Sequence, residues 1–260
     1  VGPNFGDHLY PKVGIEEYHV FWLAREIDVA APQMRFIHVR VNGANLVRLH
    51  YQIPTRDFCK SWYGDNDPIV YKPSTFDPLL EHMRSDGLKA TAKYRMCSLK
   101  KRTSVPSDDF QTLYNFHHAM TGAAATFDSR MAAMIDPYQF GAYFVVTLFS
   151  RTGDIYGGSS QIRNIFVYLS STHRSRLHLH DMDSAFSSFT EHRPFPSGVI
   201  GATLYNSRPL FKRAYFRILK MMMEGPLNPE VYEPELLGWY SVFQAHTNYS
   251  HWGGFGGFTD

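Results

Sequence analysis

The stretch Ser150–Phe186 constrains this chain more than any other. Asp154 stands in a Gly-rich loop, and Asn164 directly precedes the β-branched and aromatic run Ile165–Leu169. The polar segment Ser170–Ser175, the alternating run Arg176–His180 and the acids Asp181 and Asp183 follow. Both runs have strand composition, and the polar segment between them reads as a turn. An antiparallel hairpin then sets the start of the first strand beside the end of the second. Asn164 is thereby expected near Asp181, with Asp154 in the loop just ahead. Three carboxylates and one amide at one hairpin end repel one another unless a cation sits among them. Hard oxygen donors suit Mg2+ or Mn2+, and Mg2+ commonly arrives with a phosphate.

Each piece also has a plainer reading. An Asp in a Gly-rich loop serves most often as a turn residue, and an Asp-x-Asp after a strand as a cap for the next element. The order of the whole set points to a site. Asp, then Asn, then a hairpin, then Asp is the plan of a protein-kinase catalytic loop followed by its metal-binding segment. The interval from Asp154 to Asn164 is ten residues, longer than in an ordinary protein kinase. The combination resembles the atypical, kinase-like CotH family, named for a spore-coat protein. The resemblance rests on Gly153-Asp154, on Arg163-Asn164 before an apolar strand, and on His180–Phe186. That last segment is similar to the family signature Trp-Asp-Leu-Asp-x-Ala-Phe, with His180 in place of Trp.

The chain before this stretch resembles the family's small lobe. Gly14–Ile27 carries Ile15, Tyr18, Phe21, Trp22 and Leu23 at helical spacing, with Glu16 and Glu17 near its start, as suits an amphipathic helix. Ala30–Pro32 ends it. Met34–Val41 and Asn45–Gln52 read as strands around the hairpin turn Asn42-Gly43. Asp57–Tyr63 reads as a helix and Ile69–Lys72 as a short strand. Val70-Tyr71-Lys72 is similar to the family's Leu-Tyr-Lys triplet. A strand lysine in a cleft can hold nucleotide phosphates as a point charge. Val47 stands near the Gly that the family's returning strand usually carries. Gln52 stands nearest the Glu at its end, and a neutral Gln cannot form the lysine–glutamate ion pair of an active kinase.

Pro73–Arg102 is poorly periodic, with a strand expected near Ala90–Met96 and a solvated turn at Leu99–Arg102. Ser107 reads as an N-cap for a helix through Phe110–Met120, and Ala123–Met134 continues in helix formers. Asp136-Pro137 supplies a cap and a first-turn proline for the helix Tyr138–Phe149. That helix is apolar on nearly every side and runs into Gly153-Asp154. Ser187–Gly201 takes the place of a kinase activation segment. Leu210–Met223 and Glu233–Gln244 read as the last helices, and residues 251–260 as a flexible end.

A chain of 260 residues, 44% hydrophobic, can bury a substantial core. A formal charge of +2 and the lack of a basic tract argue against nucleic acid as partner. The longest apolar run, near Phe140–Phe149, is too short to span a bilayer. The sequence opens on Val with no legible signal segment, as expected of a mature form or an excised domain. Cys59 and Cys97 cannot make a zinc site alone and are expected to be free thiols. His178 and His180 share a strand face with His173 nearby, yet no third or fourth zinc ligand is placed by motif.

The expectation is one CotH kinase-like domain of the α+β class. It is two-lobed, with a small β-rich lobe over about 1–105 and a larger helical lobe over about 106–250. What the resemblance implies is ATP- and Mg2+- or Mn2+-dependent phosphorylation of Ser or Thr in a Ser-rich protein at a spore surface, at a cell surface or outside the cell. Asp154 takes the catalytic role and Lys72 and Gln52 face the nucleotide. Asn164, Asp181 and Asp183 hold the metal, with Asp181 favoured as the main acidic ligand. The rival expectation is a degenerate site retained on a surface protein that binds a receptor. A metal-dependent hydrolase built on the same carboxylates is a third.

Overall fold

The computed structural model describes residues 11–54, 56–71, 100–101, 115, 119, 124–151, 165–169, 174–182, 185–186 and 201–246. Helix α1 (Pro11–Glu26) begins at a proline, whose fixed φ and missing N–H suit a first turn. It thus starts ahead of the apolar periodicity, and Glu16 and Glu17 fall in its second turn rather than at its positive end. Strands β1 (Met34–Val41) and β2 (Ala44–Tyr51) form an antiparallel pair, registered from Met34↔Tyr51 to Val41↔Ala44. Asn42 and Gly43 have φ of 49° and 85°. Both central positions are left-handed, as the tight hairpin turn requires.

Helix α2 (Arg56–Tyr63) leads to β3 (Ile69–Tyr71). Lys100 and Lys101 form a short strand, β4, paired with Val70 and Ile69 and outermost among the described residues. This corrects the expected solvated turn at Leu99–Arg102: two residues are too few to show a strand period. Strands β5 (Ile165–Leu169) and β6 (Arg176–Leu179) form the expected antiparallel hairpin. They complete a four-stranded sheet in the order β4-β3-β5-β6.

Strand β5 is buried on both faces, so it reads as an unbroken apolar run rather than an alternating one. Ile165, Val167 and Leu169 enter the main core, with Leu177 and Leu179 of β6. Phe166 and Tyr168 face the other way and pack with Phe58 and Cys59 of α2. Cys59 is a free thiol, and burial pushes its pKa up to about 12, so it is a packing group at neutral pH.

A 3₁₀ turn (Ala124–Thr126) opens into α3 (Phe127–Met134), and α4 (Pro137–Phe149) follows after Ile135 and Asp136. The Asp136 carboxylate accepts hydrogen bonds from the backbone N–H groups of Tyr138 and Gln139, at 3.0 and 3.2 Å. The expected cap is therefore made. Helix α4 is buried from Gln139 to Thr147. Gly141 allows its close approach to α5 (Pro209–Glu224): a Cβ there would lie 3.0 Å from Ile218 Cδ1 and 3.5 Å from Tyr215 Cα.

A π-helical turn (Gly201–Asn206) precedes α5. Helix α6 (Pro229–His246) starts earlier than the expected Glu233. Asn228 Oδ1 accepts from Glu230 N at 3.1 Å, which makes it the cap, and Pro229 follows. Tyr18 of α1 meets Trp239 of α6 with ring centroids 4.0 Å apart, while Val20, Phe21 and Ala24 join the main core with α4. The described residues are thus mixed helix and strand, an α+β arrangement. The strand expected over residues 90–96, most of the helix expected over residues 110–120, Cys97, residues 187–200 and the Gly-rich end lie outside them.

Candidate active site

The sheet register sets the geometry. Ile165 pairs with Leu179, and Tyr71 pairs with Val167. The end of β3, the start of β5 and the end of β6 therefore share one edge of the sheet. Asn164 immediately precedes Ile165, Lys72 immediately follows Tyr71, and Asp181 lies two residues past Leu179. Of the six residues singled out in the sequence, Gln52 and Asp181 are described. Lys72, Asp154, Asn164 and Asp183 lie outside the described residues.

Asp181 is half-buried and has φ of 56°. A non-glycine residue rarely holds that left-handed conformation without support from its surroundings. The next residue supplies much of it: the Met182 side chain is fully buried, and its backbone N–H donates to Glu17 Oε1 at 3.0 Å. Ala185 N donates to Met182 O at 3.1 Å, closing a turn. Phe186, with φ of 55°, donates its backbone N–H to Ser150 O at 2.5 Å. Its ring meets that of Phe149 with centroids 6.1 Å apart. Ser150 caps α4, and Arg151 closes that helix in the left-handed conformation with φ of 50°. The chain that leads to Asp154 is thus bonded directly to the segment that follows Asp181.

Gln52 is half-buried, and its backbone N–H donates to Gln33 O at 2.9 Å. The neighbouring Tyr51 ring lies 6.0 Å from that of His180, so Gln52 and Asp181 flank one aromatic contact. His180 also meets Phe166 edge-on at 5.0 Å. It packs as an aromatic, which is how a histidine can stand where the family signature has Trp.

His178 shares that strand face but lies deeper. Its Nε2 is 2.8 Å from Tyr63 Oη, and its ring packs against Phe58, Tyr63 and Tyr168. Arg176 lies over the Tyr63 ring at 4.5 Å. Burial, with the Arg176 charge second, lowers the His178 pKa to about 3. Among the described residues, no group of three or more His, Cys, Asp and Glu could hold a metal. The two imidazoles belong to aromatic packing, and half-buried Asp181 stands just past the end of β6. A carboxylate oxygen is the kind of donor that a hard cation such as Mg2+ takes.

The state of His178 has a consequence for stability. Its folded pKa lies below the unfolded value near 6.5, so the unfolded chain binds the proton first as pH falls. The contribution is complete above pH 6.5 and is lost toward about pH 3 at up to about 1.4 kcal/mol per pH unit. Urea unfolding between pH 6.5 and 5 should show this slope, and His178→Gln should flatten it. Equal slopes in the two proteins would contradict it.

The sequence reading used Glu17 only as a charge near a helix start. Its spacing with Phe21 and Ala24, four and seven residues on, was the available sign that it lies on the buried stripe of α1.

A family model described as CotH kinase protein matches residues 12–255. That covers most of the 260-residue chain. No curated protein matches the chain.

Proposed function

The chain belongs to the CotH kinase family, and on that premise we propose that it transfers the γ-phosphate of ATP to a Ser or Thr hydroxyl of a Ser-rich protein. Asp154 accepts or orients the hydroxyl proton. Asn164, Asp181 and Asp183 hold Mg2+ or Mn2+, and Lys72 steadies the phosphates between a small lobe and a larger helical one. The cation, when bound, supplies charge neutralisation on the phosphates. The protein's part is mostly positioning, as phosphoryl transfer requires. What carries the reading is the pairing of Ile165 with Leu179 together with the Phe186–Ser150 bond. The first sets the residue after Asn164 beside the strand that leads to Asp181, and the second ties the end of the helix before Asp154 to the segment after Asp181. The family resemblance supports an acceptor at a spore surface, at a cell surface or outside the cell.

The neutral Gln52 is the feature that favours a degenerate, binding-only protein. The test separates the two. Incubation with γ-labelled ATP and Mn2+ or Mg2+ should label the chain itself or a Ser-rich acceptor, and chelation should abolish the label. Nucleotide binding without transfer would favour the binding-only reading. The absence of both binding and transfer would sink the proposal.

A further inference from the structure

We propose that Glu17 is a positioning residue for the metal-holding segment that starts at Asp181. The inference rests on the phosphoryl-transfer reading above. Glu17 is fully buried on α1, and its Oε1 accepts from the backbone N–H of Met182, 165 residues away in the chain, at 3.0 Å. A buried carboxylate is costly in an apolar interior. A charge-assisted bond from a backbone N–H is a strong way to hold it, and also a strong way to fix the backbone that donates. That backbone belongs to the residue between the two acids of the Asp-Met-Asp segment. The acid before it, Asp181, sits in a left-handed conformation with φ of 56°, uncommon for a non-glycine residue.

Helix α1 is suited to hold it. Val20, Phe21 and Ala24 bury it against α4, the helix that leads toward Asp154. Tyr18 and Trp22 bury its other side against Trp239 and Tyr232 of α6. The Glu17 carboxylate is therefore fixed by packing on two sides, and through Met182 it sets where Asp181 begins its turn. An outer partner that orients a ligand in this way commonly matters about 10–100-fold in metal affinity.

Two variants and two readouts test this. Glu17→Met keeps similar volume and removes the acceptor, while Glu17→Gln keeps a carbonyl oxygen. The first readout is hydrogen exchange at the Met182 amide in metal-free protein, which reads the bond whether or not the protein is a kinase. Slow exchange is expected in the wild type and in Glu17→Gln, and fast exchange in Glu17→Met. The second is the Mn2+ concentration at half of the thermal upshift obtained with a non-hydrolysable ATP analogue. It should rise about 10–100-fold in Glu17→Met and stay near wild type in Glu17→Gln.

Fast exchange at Met182 in the wild type overturns the inference, as does a folded Glu17→Met with an unchanged Mn2+ midpoint. If Glu17→Met does not fold, Glu17→Gln decides: retained protection and midpoint support the inference, and loss of both overturns it. A wild type that gives no upshift with metal and nucleotide, while its Met182 amide is protected, fails the phosphoryl-transfer reading and the positioning role that depends on it. The bond itself then stands as a fold contact.

Discussion

Asp154→Asn is expected to remove phosphoryl transfer while leaving nucleotide binding and thermal stability near wild type. The loss expected of a missing proton acceptor is about 10²–10⁴-fold in kcat. Asparagine keeps the size and hydrogen-bonding reach of the side chain but cannot take a proton. The structural basis is α4, which is buried from Gln139 to Thr147 and ends at Ser150 and Arg151, three residues before Asp154. A helix fixed on all sides is the support that a closely positioned group needs. Transfer that survives in Asp154→Asn at wild-type rate would remove Asp154 from the chemistry. A fall in melting temperature that parallels the loss of activity would make its role structural.

The second large effect concerns how α4 is tied to the hairpin. Among the described residues, strand β6 is the outer strand of the sheet, so the backbone of Leu177 would face the core with no strand to pair. Gln139 of α4 supplies the missing partner: its Nε2 donates to Leu177 O at 2.6 Å, and its Oε1 accepts from Leu177 N at 3.0 Å. Both bonds are buried. Gln139→Leu removes both, leaving a buried donor and a buried acceptor unsatisfied at about 1–3 kcal/mol each. The expected fall in unfolding free energy is therefore about 2–6 kcal/mol, out of the roughly 5–15 kcal/mol that domains typically have. A urea titration measures it, and a loss below about 1 kcal/mol would show that the site relaxes around the leucine. Because α4 leads toward Asp154 and β6 leads to Asp181, the same variant should lower phosphoryl transfer below its unfolding temperature.

The elements legible in the sequence were those with a strong local signal. Asn42-Gly43 fixed a turn type, and with it the register of β1 on β2. Ile165–Leu169 and Arg176–Leu179 announced a hairpin by composition, and Asp136-Pro137 announced the start of α4. Elements without a local signal were not legible. Lys100 and Lys101 are a strand only because β3 lies beside them. Helix α6 begins ahead of the expected Glu233, and Asn228-Pro229 is its start signal.

The site divides in the same way. The order of Asp154, Asn164, Asp181 and Asp183 is a property of the sequence and could be read there. The support behind it joins residues far apart, namely Glu17 to Met182, Ser150 to Phe186 and Gln139 to Leu177. No local pattern encodes which backbone N–H a distant carboxylate will meet. His178 shows the converse. Strand alternation placed it beside His180 as a possible chelate, and only the packing of Phe58, Tyr63 and Tyr168 around it shows an aromatic core residue.

The proposed phosphoryl transfer requires one divalent cation at the edge where β3, β5 and β6 end. Anomalous scattering from Mn2+ in crystals grown with ATP locates that ion directly. A peak is expected about 2.1 Å from a carboxylate oxygen of Asp181 or Asp183, with Asn164 in the same coordination shell. Mn2+ bound only elsewhere on the chain, with that edge empty in the presence of nucleotide, would contradict it.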